Sequence, residues 1–331
     1  MSAIWFERGL VLVLAAGLDW WLGDPWGWPH PVQAMGVVIA WGRKGILKGH
    51  LPTWAERGLG ILLGLGVILG SGLLAWGALS LARGVHPILG LACEVILLAS
   101  CLAGRSLRRA AEEVLVPWQN GDMAEARARL RLYVGRDTET LEAAEILRAV
   151  METVSENATD GVLAPLFYAL LGTLLGPLGP VPLTLAYKAA STLDSMIGYR
   201  DPPYTHLGWF SARLEDGLTW LPCRLTVITI AGLSGQPGRV WQLCCRDAAA
   251  DPSPNAGWSQ CAYAAALGVQ LGGRNQYRGQ VKSKPLLGDP IYPITPQRIR
   301  RALNLTRQAV LVWLMVGLVA IALKGWIVSP P

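Results

Sequence analysis

Two stretches of this chain, Gly58–Ala82 and Gly161–Tyr187, contain no charged residue at all. A helix needs about 20 consecutive apolar residues to cross a bilayer, and both stretches exceed that. Val85–Ala103 carries only His86 and Glu94 as titratable groups, and Gln308–Leu323 is again uncharged. Two weaker runs are Gly9–Trp21, which holds Asp19, and Leu218–Gly235, which holds Pro222 and Arg224. With flanking residues the runs are 5–22, 58–82, 85–103, 161–187, 218–235 and 308–328. Only 16% of residues are charged and 52% are hydrophobic, against roughly 25% charged in a soluble domain. The expected fold is all-α. It is a multi-pass helical membrane protein, one integral domain over 1–331, with about four to six transmembrane or re-entrant helices.

Charge is confined to the stretches between the runs. Segments 23–57, 104–160 and 236–307 hold most of the 29 Lys and Arg. Basic loops stay in the cytoplasm, so a helical insert at 104–160 and a polar loop at 236–307 are expected there. The first helix reads as retained rather than as a signal peptide. The net charge of +6 has this topological explanation, and no nucleic-acid recognition motif accompanies it. The six cysteines lack metal or redox spacing and read as ordinary thiols.

Gly176–Pro182 holds three prolines, which no helix passes unbroken. Such a break at membrane depth is tolerated where protein buries it, so a re-entrant hairpin is expected there. The glycines at 58, 60, 64, 66 and 70 suit close helix packing in lipid. Asp122 with Glu125 reads as a capping box.

Four clusters carry candidate chemistry. The first is a helix expected over 138–160. Ala144, Leu147, Met151, Val154 and Ala158 share one side, and Glu142, Glu145, Glu152, Glu156 and Asp160 share the other. For Glu142 and Glu145 a solvated face suffices. Glu152, Glu156, Asn157 and Asp160 are read as a run of unrelieved like charge next to the bilayer. Such oxygen ligands without His or Cys suit Mg²⁺. The second cluster holds Lys188, Asp194 and Tyr199. Lys188 also suits an interfacial lysine, and Asp194 a helix cap. The third holds Asp24 and His30, each with a structural alternative in turn formation or packing. The fourth, in 236–307, holds Asn255, Tyr277, Arg278, Lys282 and Lys284. Its cations suit phosphate or carboxylate binding as well as plain solvation.

In these clusters the sequence resembles the CobD/CbiB family, the membrane-bound adenosylcobinamide-phosphate synthases of cobalamin biosynthesis. The resembling pieces are Asp19–Pro31, Arg136-Asp137, Glu152–Pro165, Tyr187–Tyr199, Ala212–Asp216 with Pro222–Leu225, and Ser253–Gly257 with Leu271–Gly273. They run in order along nearly the whole chain. One departure is Ser191, where the family usually has Asn. The resemblance implies amide-bond attachment of aminopropanol, or its O-phosphate, to a propionate of adenosylcobyric acid, with ATP and Mg²⁺. It implies a cytoplasmic-membrane location and contact with other cobamide-assembly membrane proteins. On matching positions, Glu152, Glu156, Asp194 and Lys188 would be catalytic, and Glu156, Asp160 and Asp194 would hold metal. Asp24, His30, Asn157, Tyr199, Asn255, Tyr277, Arg278, Lys282 and Lys284 would bind substrate or phosphate. The rival readings are a membrane transporter for a corrinoid or other anionic solute, and a non-catalytic anchor.

The topology is checked by cysteine accessibility. Single cysteines placed in 104–160 and 236–307 should react only when a membrane-impermeant thiol reagent is admitted to the cytoplasmic side. Labelling from outside overturns it.

Overall fold

The computed structural model describes residues 3–23, 30–49, 51–176 and 178–328. The chain is helical apart from one short hairpin. In order come α1 (Ala3–Trp21), α2 (Pro31–Lys48), α3 (Thr53–Val85), α4 (Pro87–Ala99), α5 (Gly104–Gln119), α6 (Met123–Leu130) and α7 (Ala143–Asn157). A π-helical segment, Ala158–Leu163, joins α7 to α8 (Ala164–Leu175), and α9 (Pro180–Ile197) and α10 (Trp209–Leu233) follow. The rest is α11 (Pro237–Asp247), α12 (Ala256–Leu267), β1 (Leu271–Tyr277), β2 (Gln280–Leu287) and α13 (Pro296–Val328).

Among the described residues, four helical stretches are long and apolar enough to cross a membrane: Thr53–Val85, Pro87–Gln119, Ala143–Leu175 and Pro296–Ile327. At 1.5 Å per residue, each is longer than a hydrocarbon core of about 30 Å. The third is 67% buried over its apolar window, against 28–33% for the others. It is therefore enclosed by protein, whereas the others turn much of their surface outward. Leu62, Leu74, Met315 and Val319 are among the large apolar side chains exposed along α3 and α13. In water such a surface is costly, and in a bilayer it is the lipid-facing belt. The fold is an all-α, multi-pass membrane protein.

The chain divides into two compact units. The first comprises Met1–Ala103, Ala164–Leu218 and Trp313–Pro331. Its centre is α9, packed by α3, α8, α2 and α4. The expected helix break is present, since α8 ends at Leu175 and α9 begins at Pro180. Pro180 occupies the first turn of α9, where its missing N–H costs nothing, and Gly179 before it has φ 75°. α9 folds back on α8 around a stacked pair, Tyr168 and Tyr187, with centroids 4.7 Å apart. Gly172 allows this approach, because a Cβ there would lie 2.5 Å from the Gly179 carbonyl oxygen. On α3, a Cβ at Gly60 would meet the Leu207 carbonyl and one at Gly64 the Phe210 ring. Gly58, Gly66 and Gly70 face open space, so only part of the glycine stripe serves packing. Pro222 lies inside α10 without ending it.

Helix starts in this unit follow from short-range chemistry. His30 and His86 each precede a proline and cap a helix, their Nδ1 atoms accepting the amides of Val32 and Ile88 at 3.2 Å. The pattern satisfies one orphan amide and sets φ for the first helical residue.

The second unit comprises Gly104–Leu163 and Thr219–Val312. α7 packs against α5, α6 and α12, and α11 lies along α12. α7 starts at Ala143 rather than at 138, because the Glu145 carboxylate accepts the Glu142 amide at 2.9 Å and fixes the end there. Asp122 accepts the Glu125 amide at 3.0 Å and starts α6. α5 ends at Gln119, with Pro117 inside it. β1 and β2 form an antiparallel hairpin with Tyr277 paired to Gln280 and a bulge between Leu271 and Gly273.

Gly208 tests the tightest packing in the first unit. A Cβ there would stand 1.6 Å from the Ile197 carbonyl oxygen, a backbone contact that cannot yield. Gly208→Ala should destabilise the protein by about 1–3 kcal/mol or more, read as a lower thermal midpoint in detergent. Gly66→Ala, in open space, is the control.

Candidate active site

The second unit gathers most of the charged candidates around α7. Glu152 sits mid-helix and is only 2% exposed. One carboxylate oxygen accepts the Gly272 amide at 2.9 Å and an Arg148 N–H at 3.1 Å. The other accepts from Arg136. Arg136 and Arg148 both also donate to Asn275 Oδ1, at 2.7 and 3.0 Å. Arg148 reaches further to the carbonyls of Gly272 and Arg274, at 2.6 and 2.9 Å. Glu152 is therefore the knot that ties the hairpin to α7. Arg148 stands one turn before it as an i,i+4 partner, so the acidic face is not unrelieved like charge as the helix pattern suggested.

Asp137 completes the fastening. Its two carboxylate oxygens accept the amides of Arg278 and Gly279 at 3.0 and 2.8 Å. Those two residues are the hairpin turn, and both have positive φ, 50° at Arg278 and 78° at Gly279. This is the two-residue geometry that matches strand twist. Its first position is unusual for a residue with a Cβ, and the Asp137 carboxylate holds the strained amide there.

Cross-strand partners point to one face of a sheet. Asn275 pairs with Lys282 and Gly273 with Lys284, so both lysines share the face that Asn275 turns to α7. Lys284 has a glycine opposite it, with no side chain in its way. Half-buried Glu156, one turn along α7 from Glu152, lies within electrostatic reach of Lys284, Asp251 and Glu152. Its Oε2 accepts from Gln260 Nε2 at 2.8 Å. Next to it Ser259 Oγ donates to the Ser155 carbonyl at 2.6 Å and meets Thr159 Oγ1 at 2.6 Å. These bonds clamp α12 to the point where α7 loosens into the π segment. That widened turn carries half-buried Asp160, and such π insertions recur at functional sites. Asn157 is exposed, its amide donating to the Thr153 carbonyl at 3.0 Å.

Asn255 is buried below this cluster, its Oδ1 accepting from Arg224 at 2.9 Å. Arg224 also donates to the Pro254 carbonyl at 2.8 Å and lies over the rings of Trp220 and Trp258. Tyr277 is half-buried, and Arg278 and Lys282 are exposed on the hairpin. The hairpin base is held by Asp247, which accepts from Arg246 at 2.6 and 2.8 Å and from the Gly288 amide at 2.8 Å. Those bonds, Arg246 first, hold the Asp247 carboxyl below the usual carboxylate range.

The other candidates belong to the first unit and are described within it. Lys188 and Asp194 are half-buried on α9. Six residues separate them, about 120° around the helix, so they do not share one face. A Cβ at Gly198 would lie 2.0 Å from Asp194 Oδ1, which places that carboxylate over the end of α9. Tyr199 is exposed and donates to the Ser195 carbonyl at 3.0 Å. His30 is the α2 cap already described. Asp24 lies outside the described residues.

Among the described residues no three His, Cys, Asp or Glu side chains group closely enough to cage a metal ion. Mg²⁺ rarely uses such a cage. It is held by one or two carboxylates, with substrate phosphates and water completing the shell. Glu156 and Asp160, four residues apart on the same chain segment, fit that sparse donor set, and Lys284 lies within electrostatic reach of Glu156.

Sequence reasoning placed the acids and lysines but missed Arg136, Arg148, Asp137, Asn275 and Gln260 as their supports. Arg148 was within reach, being four residues from Glu152. The other partners lie far away in sequence.

The apolar helices of one unit, and the other unit's basic hairpin against a carboxylate-bearing helix, belong to a multi-pass membrane protein. The family model described as CobD/Cbib protein matches residues 12–306, and this chain belongs to the CobD/CbiB family. It is 53% identical over 312 residues to "Cobalamin biosynthesis protein CobD" of Synechocystis sp., covering 94% of this chain and 91% of that one. It is 42% identical over 303 residues to "Cobalamin biosynthesis protein CbiB" of Salmonella typhi, covering 89% and 92%. "Cobalamin biosynthesis protein CobD" of Klebsiella pneumoniae is also 42% identical, covering 87% and 89%. No solved structure matches at comparable significance. Family and relatives together assign the chain a role in cobalamin biosynthesis.

Two outcomes test this construction. Arg136→Ala leaves the Glu152 carboxylate buried beside a vacated partner, at a cost of about 3–5 kcal/mol, measured by thermal unfolding in detergent. Asp247 should act through pH. Its folded pKa is depressed, so its contribution is complete above the ordinary Asp value of about 3.9. The contribution fades as pH falls through the lower folded value. Hydrogen exchange at Gly288 should accelerate over that acidic window, and Asp247→Asn should flatten the response.

Proposed function

We propose that this protein is an adenosylcobinamide-phosphate synthase of the cytoplasmic membrane. It joins aminopropanol, or its O-phosphate, to a propionate of adenosylcobyric acid. The observation that carries the reading is the half-buried Glu156 beside Lys284, on a hairpin fastened by Arg136, Asp137 and Arg148. The family's name for its members supports the pathway, and the mixed charge of the site supports the reaction class. Amide formation from a carboxylate needs activation. The propionate oxygen attacks the terminal phosphorus of ATP, ADP leaves, and an acyl phosphate forms. The amine nitrogen then attacks the acyl carbon, phosphate departs, and the nitrogen loses a proton.

In this scheme Lys284, Lys282 and Arg278 bind phosphate oxygens. Asn255, Tyr277 and Asn157 line the approach of the substrate. Glu156 takes the proton from the attacking amine, and Gln260 orients its carboxylate. Glu152, closed in by Gly272, Arg136 and Arg148, acts by positioning the hairpin. Glu156 and Asp160 would hold Mg²⁺, which would neutralise phosphate charge when bound.

Purified protein in detergent, given adenosylcobyric acid, ATP, Mg²⁺ and aminopropanol or its phosphate, should yield the amide by mass spectrometry. Glu156→Ala and Lys284→Ala should each lower turnover by at least about 100-fold while keeping the wild-type thermal midpoint. Corrinoid binding without product under either amine would overturn the synthase and favour a transporter.

A further inference from the structure

The first unit carries a second binding feature, remote in kind from the chemistry above. Between α1 and α13 lies a cleft of about 280 Å³, walled by Trp5, Gly9 and Val13 on one side and Leu318 and Ala322 on the other. Its lining is almost wholly apolar. Val13 is 46% exposed and Phe6, on the same wall, 62% exposed, so the cleft opens on the lipid-facing surface. From Trp5 to Val13 it runs about 12 Å along α1, the length of part of an extended acyl chain.

Two cations stand at one end. Arg8 lies over the Trp5 ring with its guanidinium carbon 5.1 Å from the centroid, and Lys324 Nζ lies 5.3 Å from the same centroid. Both are anchored rather than trailing into solvent. Arg8 donates to the carbonyls of Thr173 and Gly176 at 2.8 and 2.7 Å, and Lys324 donates to the Leu174 carbonyl. These carbonyls lie at the end of α8, where no further helical turn supplies N–H donors to them. A guanidinium has about five N–H donors and an ammonium about three, so each cation keeps donors for an anion.

We propose that this cleft holds an acyl chain of an anionic phospholipid from the surrounding bilayer, with its phosphate met by Arg8 and Lys324. The apolar walls exclude a polar solute. Glu7 and Glu94 lie within electrostatic reach of Arg8 and both pair with Arg83; with Lys324 the three cations still outnumber the two acids, a positive excess that a zwitterionic lipid uses less well. Trp5 serves both parts, lining the cleft with one portion of its surface and stacking on the two cations.

The test is native mass spectrometry of the full chain in mild detergent, with phosphatidylglycerol or phosphatidylcholine added. Wild type should retain one phosphatidylglycerol after a wash that strips phosphatidylcholine. Lys324→Gln should lower that preference about fivefold, the worth of one basic residue near an anionic lipid. Ala322→Phe, which fills the cleft and leaves both cations in place, should abolish retention. Val13→Phe repeats the block from the opposite wall should the first variant misfold. No lipid retained by wild type overturns the proposal. So does equal retention of the two lipids, retention unchanged in both filled variants, or conversion of a dimer to a monomer by either one.

Discussion

A carboxylate withdrawn from water survives as a charge only when donors surround it. Glu152 meets that condition with two guanidiniums and one backbone amide, drawn from residues 136, 148 and 272. The rest of the polar unit follows from this one requirement. To reach Glu152, the segment before α7 must bring Arg136 back along the helix. β1 must lay the Gly272 amide beside it, and Asn275 must take the remaining guanidinium donors. With those in place, Lys284 lies within electrostatic reach of Glu156. The arrangement around Glu156 is therefore built on a neighbouring carboxylate that its own donors hold in place.

The membrane architecture was legible because it rests on the absence of charge, which a sequence displays directly. Gly58–Ala82 and Gln308–Leu323 emerge within long helices, and the proline-rich segment 176–182 breaks α8 from α9. The hairpin was not legible. Its strands, Leu271–Tyr277 and Gln280–Leu287, lack the alternation of apolar and polar residues that marks a strand, since one side faces a helix through polar groups. Gly272 and Gly273 serve a bulge and a glycine opposite Lys284. The acidic face of α7 was legible as a face but not as an electrostatic environment. Glu152 and Glu156 are one turn apart and look equivalent. Only the distant Arg136 and Asn275 make the first a structural tie and leave the second available. The π segment had no sequence signal, because it depends on how Ser259 and Gln260 grip α7 from α12.

His30 shows a similar limit from the other side. Its place in a motif of Asp, Trp and Pro residues suggested a ligand, while its geometry gives it a capping role repeated at His86. A His-Pro pair at a helix start is explained by local physics alone.

The hairpin turn and the carboxylate that clamps it are separated by 141 residues in sequence. A two-stranded ribbon alone is marginal in water, and closing so long a loop carries its entropy before any contact rewards it. The basic arm therefore cannot mature as a local event during synthesis. It waits until the segment before α7 is in place and the following hundred residues have emerged. A chain interrupted earlier would hold its carboxylates but no organised cations opposite them.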